Sequence, residues 1–439
     1  MSDIRVRFAP SPTGKVHIGN IRAAIYNWLF ARHTGGKFLL RVEDTDLERS
    51  TPEAIQVLFE CMEWLGLDYD EEVFYQTKNV KRHLEAVEEL KRIGRAYEVE
   101  KTSRDGKTGI VTMFRMPKEG TIEFDDIVKG HMAKKAEDIQ DFAIVRSDGS
   151  PIFHIANVVD DIDQRITHII RGDDHVENTF KHIEIFKALG APIPKYGHLS
   201  MIVNQQGKPY SKRDGAAFVG EYREAGYLPE ALFNYLLLLG WNPGDDREVL
   251  TKEEMIRLFE LEKVHVTAAM FDPKKLAWMN GEYIKQIPPA VFQDEILRAL
   301  PPEQAAIAAA KSEAWWNLLI AQIQPRTKFL KDLATSLVYF FTEDYPIDPK
   351  AVEKRLAKPG VKEILLDLIP RFEAIADWTA PVLEAMVKEL SQGNGMGPWV
   401  HPIRVAVSGR TEGPGLFEML ELLGKETTIA RLSKTAQNV

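Results

Sequence analysis

Residues 5–46 read RVRFAPSPTGKVHIGNIRAAIYNWLFARHTGGKFLLRVEDTD, and their pattern decides the fold. Ile4, Val6 and Phe8 alternate with Arg5 and Arg7, the period-2 pattern of a strand. That strand runs into Pro10-Ser11-Pro12-Thr13-Gly14, where two prolines and a glycine enforce a turn. Beyond it Ile18, Ile21, Ile25, Trp28 and Leu29 share one helical face, and Gly35-Gly36 ends the helix. A second strand over 38–43 delivers the acidic turn Asp44-Thr45-Asp46. Strand, loop, helix and strand in this order place loop atoms at a helix N-terminus, where unpaired N–H groups favour phosphate. His17 and Gly19 sit where that helix begins. Gly19 lets another group approach the backbone, and His17 can aim a ring N–H at a phosphate oxygen. Taken alone, His17 fits equally well as a buried histidine beside a turn.

The rest of the chain narrows the class. Its 439 residues leave room for several domains and a large core. The longest apolar runs, such as 231–239, contain Asn234 and fall far short of a membrane span. Asp3, Arg5 and Arg7 stand where a secretory signal needs an apolar core. Cys61 is the only cysteine, which excludes an internal disulfide and a multi-cysteine zinc site and fits a reducing cytosol. It falls among Ile55, Leu58, Phe59, Met62 and Leu65 on an apolar helix, as a core residue would. A net charge of −9 argues against non-specific coating of nucleic acid, although RNA affinity depends on local patches. Residues 78–107 carry nine basic and six acidic side chains, a small local excess that a solvated face also explains.

In chain order, Thr51-Pro52 reads as cap and first-turn proline of a helix ending near Gly66, and a second helix spans 78–93. From 97 to 161 the pattern becomes short alternating strands, with Ser147-Asp148-Gly149-Ser150 as a hairpin turn between DFAIVR and PIFHIANVV. Residues 165–171 form the next core strand, and Gly172-Asp173-Asp174-His175 turns into a helix reaching Leu189, with either aspartate able to cap it. An apolar helix covers 229–239, Thr251-Lys252-Glu253-Glu254 is a capping box, and Asp272-Pro273 opens another helix. From about Gln286 onward helix follows helix, with Trp315, Trp316, Phe340 and Trp378 scattered through them.

PSPTGxxHIG followed by RVEDTD resembles the first signature of the class I aminoacyl-tRNA synthetases, specifically the glutamyl-tRNA synthetases of bacterial type. Asn20 occupies the last place of the family's HIGH tetrapeptide, which varies in this subfamily. Residues 207–215, GKPYSKRDG, would alone be a basic loop punctuated by glycine and proline. Paired with the upstream signature they resemble the family's KMSKS loop, with Ser211 and Lys212 in the Ser-Lys places. Pro209 replaces the first lysine of that pattern and Lys208 stands one residue earlier, so the chemistry rests on Lys212. RGDDH at 171–175 is similar to the motif that borders adenosine and amino acid in the family. TEDYP at 342–346, PRFEAIADWT at 370–379 and GPGLFEMLELLGKE at 413–426 resemble the helical anticodon-binding domain.

The resemblance implies an α/β fold: a Rossmann-like catalytic domain with a small inserted acceptor-binding domain, then all-helical stem-contact and anticodon-binding domains. The expected bounds are 1–96 and 142–205 for the catalytic halves and 97–141 for the insertion. Residues 206–285 hold the KMSKS-like loop and stem-contact helices, and 286–439 the anticodon-binding helices. His17 and Lys212 become the catalytic pair, and His17, Gly19, Asp174, Ser211 and Lys212 the ATP site. Arg7, Ser11, Glu43, Phe153, Asn157 and Arg171 become the glutamate site, with Glu43 on the ammonium group and arginine suited to a planar carboxylate. Phe153 stands where the family usually has tyrosine, so one hydroxyl contact is missing. The expected activity is glutamate–tRNA ligation: glutamyl-adenylate from glutamate and ATP, then transfer to the 3′ end of tRNA(Glu). ATP brings Mg2+ and no zinc is expected, because one cysteine and a short insertion cannot build such a site. The expected partners are tRNA(Glu), glutamate and ATP, for a cytoplasmic monomer away from membranes.

Three rivals are weaker. A relative that attaches glutamate to a modified tRNA base ends after the catalytic part, unlike this chain with its long segment beyond Gln286. Glutaminyl-tRNA synthetases carry a β-barrel anticodon region. A non-catalytic tRNA-binding paralogue would not need His17, Lys212, Glu43 and both arginines intact.

Overall fold

The computed structural model describes residues 3–12, 14–46, 50–102, 108–392 and 395–439. Thr13 of the turn and residues 103–107 of the charged run lie outside them. The chain divides into two compact units, residues 1–279 and 280–439.

The first unit begins with β1 (Arg5–Phe8), α1 (Ile18–Thr34), β2 (Lys37–Val42), α2 (Pro52–Leu65), β3 (Phe74–Tyr75) and α3 (Val80–Arg92). The three strands are parallel neighbours, with Arg7 opposite Leu39 and Arg41 opposite Phe74. Parallel pairing needs a long crossover, which α1 and α2 supply. The start of α1 is set by His17, whose Nδ1 accepts the Gly19 N–H at 3.1 Å, and its end by Gly35 at φ 66°. Thr51 caps α2 by accepting from Ala54 N, with Pro52 first in the helix.

The periodicity predicts one apolar face for α1, but the helix is buried on most sides, Arg22, Tyr26 and Asn27 included. Each of these polar groups finds a distant carbonyl. Arg22 donates to Leu239 O at 2.7 Å and to Ser200 O, Tyr26 to Leu237 O at 2.8 Å, and Asn27 to Ile170 O at 2.8 Å. Buried donors without such partners would be costly, so these bonds fix where the later segments lie.

The middle of the unit runs β4 (Ala96–Thr102), β5 (Thr108–Phe114), β6 (Thr121–Asp126), β7 (Gly130–Lys135), β8 (Phe142–Val145), α4 (Phe153–Asp163), β9 (His168–Gly172), α5 (Val176–Ala188) and β10 (Lys195–Leu199). β4, β5 and β8 form an antiparallel sheet, and a second sheet has the order β7-β6-β10-β9. Thr167 N–H donates to Arg5 O at 2.9 Å, and Arg5 N–H to Thr167 Oγ1 at 2.9 Å, tying β1 to the approach of β9.

The hairpin expected at 147–150 is half correct. The turn forms, with Arg146 N–H on Ser150 O and a bridge between Val145 and Pro151, but PIFHIANVV does not return as a strand. It becomes α4, in which every residue from Ile155 to Asp161 is buried. The β-branched run suggested a strand; packing against α3 and α5 overrode that weak preference. The strand expected over 165–171 starts later, at His168, because Arg165 turns the chain at φ 54°.

The unit continues with β11 (Ile202–Val203), α6 (Val219–Glu224), α7 (Pro229–Leu238), α8 (Lys252–Leu258) and β12 (Ala269–Met270), and the division at 279 falls within α9 (Pro273–Lys285). The capping box is present: Thr251 Oγ1 accepts from Glu254 N at 3.2 Å while Glu254 accepts from Thr251 N at 2.9 Å.

The second unit is helical, from α10 (Pro289–Ala299) to α19 (Lys425–Asn438). Two of its scattered tryptophans share a task. Trp378 and Trp315 donate to the carbonyls of Leu420 and Leu422 at 2.8 and 2.9 Å, satisfying the C-terminal turn of the 416–423 helix. Arg431 on α19 donates to Val407 O at 2.7 Å and to the Glu343 carboxylate at 2.8 Å.

Gly36 separates α1 from β2 at a point with no room for a side chain. A Cβ there would lie 2.6 Å from Ile4 O and 2.9 Å from Ile4 Cβ, and Lys37 N–H must still reach Ile4 O at 2.8 Å. Gly36→Ala is therefore expected to push β1 off β2 and destabilise the first unit by ~1–3 kcal/mol. Denaturant unfolding of the variant against wild type checks this; an unchanged midpoint contradicts it.

Candidate active site

Two groups of side chains meet at the C-terminal ends of the parallel strands, where this architecture places ligands. The first is built around Phe218. Ile18 N–H donates to Ala217 O and Val219 N–H to Val16 O, both at 3.0 Å, so the segment before α6 pairs with the start of α1. The Phe218 ring meets His17 edge-on at 5.8 Å, with Lys212 Nζ at 4.9 Å and Lys15 Nζ at 5.4 Å from its centroid. His17 and Lys212, almost two hundred residues apart, therefore share one aromatic ring. Burial lowers the pKa of His17, partly offset by hydrogen bonding with the Tyr210 backbone and by Glu221. Because Nδ1 accepts from Gly19, the neutral ring carries its proton on Nε2 as a donor.

The 207–215 loop is held by Asp214, which accepts from Ser211 N at 2.9 Å, Ser211 Oγ at 3.0 Å and Asn204 Nδ2 at 2.7 Å. Lys212 and Lys208 are exposed on it, and Gly207 sits at φ 73°.

The second group is buried and charged. Asp161 on α4 accepts from Arg7 Nε at 3.0 Å and Nη2 at 3.3 Å, and from Arg41 Nη1 at 2.6 Å. Arg41 also reaches Gln164 Oε1 at 3.1 Å and Glu43 Oε1 at 3.3 Å. Asn157 Nδ2 donates to the same Glu43 oxygen at 2.7 Å. Arg171 differs from the other two arginines. It is buried, and its hydrogen bonds go to neutral acceptors: Thr179 Oγ1 at 2.7 Å, His198 Nε2 at 3.3 Å and His175 O at 3.4 Å. Among the described residues it has no carboxylate partner.

The electrostatics follow from this pairing. Burial pushes Asp161 up, but Arg41 and Arg7 outweigh it and hold the carboxyl below its ordinary value. For Glu43 burial wins, and its pKa rises despite Arg41 and Arg7. Burial pushes Arg171 down to about 10, with repulsion from Arg7 in the same direction. Of the three guanidinium groups, Arg7 and Arg41 are thus bonded to carboxylates, and Arg171 only to neutral acceptors.

The remaining expected residues lie around this centre. Phe153 starts α4 and packs on His154, His175 and His182, with ring centroids 5.5 to 5.8 Å apart. Ser11 is exposed beside Pro10, whose carbonyl accepts from Glu43 N at 3.0 Å. Asp174 is exposed and folds its carboxylate over Gly172, while Asp173 pairs with Lys129 at 3.1 Å instead of capping α5. Among the described residues no group of three or more His, Cys, Asp or Glu side chains could hold a metal ion, and no helix is long and apolar enough to cross a membrane.

Residues 3–108 and 98–278 match the catalytic domain of tRNA synthetases class I (E and Q), and 256–436 match an anticodon binding domain. Glutamate–tRNA ligase 1 of Caldanaerobacter subterraneus is 38% identical over 99% of this chain and 98% of its own length. A glutamate–tRNA ligase of Francisella tularensis subsp. novicida is 40% identical over 99% of both. This chain belongs to the glutamate–tRNA ligase family. The family's solved structures agree: a glutamate tRNA ligase from Elizabethkingia meningosepticum, in complex with its amino acid, superposes with TM-score 0.87 at 29% identity, covering 99% of both chains. That from Elizabethkingia anophelis superposes with TM-score 0.85 at 29% identity.

Several residues of the site escaped the reading of the sequence. Arg41 was legible in principle: it lies two residues before Glu43 on one strand and so faces the same way. Asp161, Phe218, Asp126 and His198 gave no local signal, since each acts on a residue far away in the chain.

Asp161 carries a prediction with a definite sign. Its folded pKa lies below the ordinary 3.8, so its stabilisation is complete above that value and is lost as pH falls through the folded pKa. Asp161→Asn leaves Arg7 and Arg41 short of a counter-charge and is expected to destabilise the first unit by ~3–5 kcal/mol at neutral pH. The gap to wild type should narrow below about pH 4. Chemical denaturation between pH 3 and 7 measures it, and a constant gap across that range rejects the assignment.

Proposed function

We propose that this chain activates glutamate with ATP to form glutamyl-adenylate and transfers the glutamyl group to the 3′ end of tRNA(Glu). A glutamate carboxylate oxygen attacks the α-phosphate of ATP, the bond to the β-phosphate oxygen breaks, and pyrophosphate leaves. A terminal ribose hydroxyl of the tRNA then attacks the activated carbonyl, and AMP leaves. Neither step needs a protein nucleophile; alignment and charge stabilisation suffice.

The observation that carries the reading is the Arg171 guanidinium, buried at 8% exposure and bonded only to neutral groups. An unneutralised buried cation is expensive unless a ligand completes it, and a planar carboxylate does so in two bonds. Arg171 then takes a substrate carboxylate, with Arg7 adding its field from the Asp161 pair. Glu43 and Asn157 receive the ammonium group, and Phe153 packs on the substrate chain, with Ser11 at the rim. His17 donates to ATP phosphate oxygens, Lys212 follows the developing charge, and Gly19, Ser211 and Asp174 border the nucleotide. Magnesium arrives bound to ATP as part of the substrate.

Residues 1–96 and 142–205 form the catalytic domain in this reading. Residues 97–141 meet the acceptor end, 206–285 the stem and 286–439 the anticodon of the tRNA. The protein works as a monomer in the cytoplasm without zinc, and its one, buried cysteine suits a reducing compartment.

The test is tRNA-dependent aminoacylation with glutamate and with glutamine. Arg171→Ala is expected to lower kcat/KM for glutamate by about two orders of magnitude and to narrow the preference over glutamine, which cannot neutralise the guanidinium. A variant that keeps the wild-type ratio removes Arg171 from selection. Phe153→Tyr restores the hydroxyl usual in the family and is the companion variant. In pyrophosphate exchange with tRNA present, Lys212→Ala should lower kcat far more than it raises the glutamate KM, because its charge acts mainly in the transition state. Exchange within a few-fold of wild type would transfer that role to Lys208, and a wild type without exchange would leave the tRNA-binding paralogue.

A further inference from the structure

The inserted segment reaches the amino-acid site through one line of side chains. Asp126 ends β6, His198 lies on β10 and Arg171 on β9, three successive neighbours in one sheet. His198 and Arg171 are directly opposite in the parallel register, and β6 meets β10 at the pair Asp126 and Tyr196. Asp126 Oδ2 lies 2.6 Å from His198 Nδ1, and His198 Nε2 lies 3.3 Å from Arg171 Nε and 3.0 Å from Thr179 Oγ1. Asp126 and His198 are both buried.

The donors and acceptors assign the protons. An ionised carboxylate only accepts, so His198 Nδ1 carries the hydrogen that faces Asp126. The neutral ring then has a bare Nε2, which accepts from the Arg171 Nε–H. Asp126 is further saturated by Val128 N at 2.9 Å, Lys129 N at 2.8 Å and His198 N at 3.2 Å, all donors. Those bonds and His198 hold its carboxyl below the usual range against burial, and burial together with Arg171 keeps the imidazole neutral. A carboxylate directly on Arg171 would cancel the charge that a substrate needs. A neutral imidazole orients the guanidinium and leaves its charge available.

We propose that Asp126 and His198 are positioning residues: Asp126 fixes the tautomer of His198, and the bare Nε2 of His198 aims the Arg171 guanidinium at the substrate carboxylate. This rests on Arg171 as the carboxylate-binding residue. A strand of the insertion thereby sets the glutamate site without touching glutamate. Lys129 in the same hairpin pairs with Asp173 at 3.1 Å, a second tie between the insertion and the 171–175 motif.

Asp126→Asn is the decisive variant. The backbone donors of Val128 and Lys129 keep the amide oxygen, so its NH2 faces His198 Nδ1, which must accept. The proton moves to Nε2 and opposes the Arg171 N–H, as a carboxylate-to-amide change flips a catalytic histidine elsewhere. The expected result is a glutamate KM raised on the order of tenfold or more with kcat little changed, as when an outer partner that orients a ligating group is lost. Nitrogen-15 NMR of histidine-labelled protein should show His198 protonated on Nδ1 in wild type and on Nε2 in Asp126→Asn. His198→Gln, which can donate to Asp126 and accept from Arg171, should retain most of the affinity that His198→Leu loses. Should Asp126→Asn not fold, the wild-type tautomer and the Gln-against-Leu comparison decide. A wild-type His198 protonated on Nε2, or equal KM values for Gln and Leu, overturns the proposal. An impaired Arg171→Ala beside an unaffected Asp126→Asn overturns the positioning alone, whereas an Arg171→Ala with wild-type KM overturns the carboxylate reading beneath it.

Discussion

The Asp161 carboxylate, buried between the guanidinium groups of Arg7 and Arg41, is the interaction on which the first unit depends. It joins β1, β2 and α4, which no backbone ladder connects as a set. Desolvating three ions is unfavourable, and only short, directional contacts on both carboxylate oxygens offset it. The same pairing leaves one buried arginine apart. Arg7 pairs with Asp161 and Arg41 with Asp161 and Glu43, whereas the hydrogen bonds of Arg171 go to neutral acceptors.

The group around Phe218 follows another rule. His17 and Lys212 are assembled by Phe218, which pairs its backbone with the start of α1. The fixed member is His17, which caps α1 and is locked in one tautomer by Gly19. Lys212 is the adjustable one, exposed on a loop whose shape depends on Asp214. A rigid donor beside a movable cation suits a reaction in which charge grows on phosphate oxygens only as the bond breaks.

What the sequence determined by itself was local. The alternation at 4–8, the caps at Thr51 and Thr251 and the glycines at 35 and 66 act through the backbone within a few residues, and all appear where they were read. The two signature motifs, at 10–19 and 207–215, were legible through their resemblance to those of the family. Tertiary structure decided the rest. Residues 151–159 carry β-branched side chains and read as a strand, yet burial against α3 and α5 accompanies a helix over Phe153–Asp163, and only as a helix do Asn157 and Asp161 reach Glu43 and Arg7. The partners of Arg7, Arg41 and Arg171 lie far along the chain or across a sheet register that no local pattern encodes. Propensity is a property of neighbours in sequence, whereas the charge balance of a buried site is a property of neighbours in space.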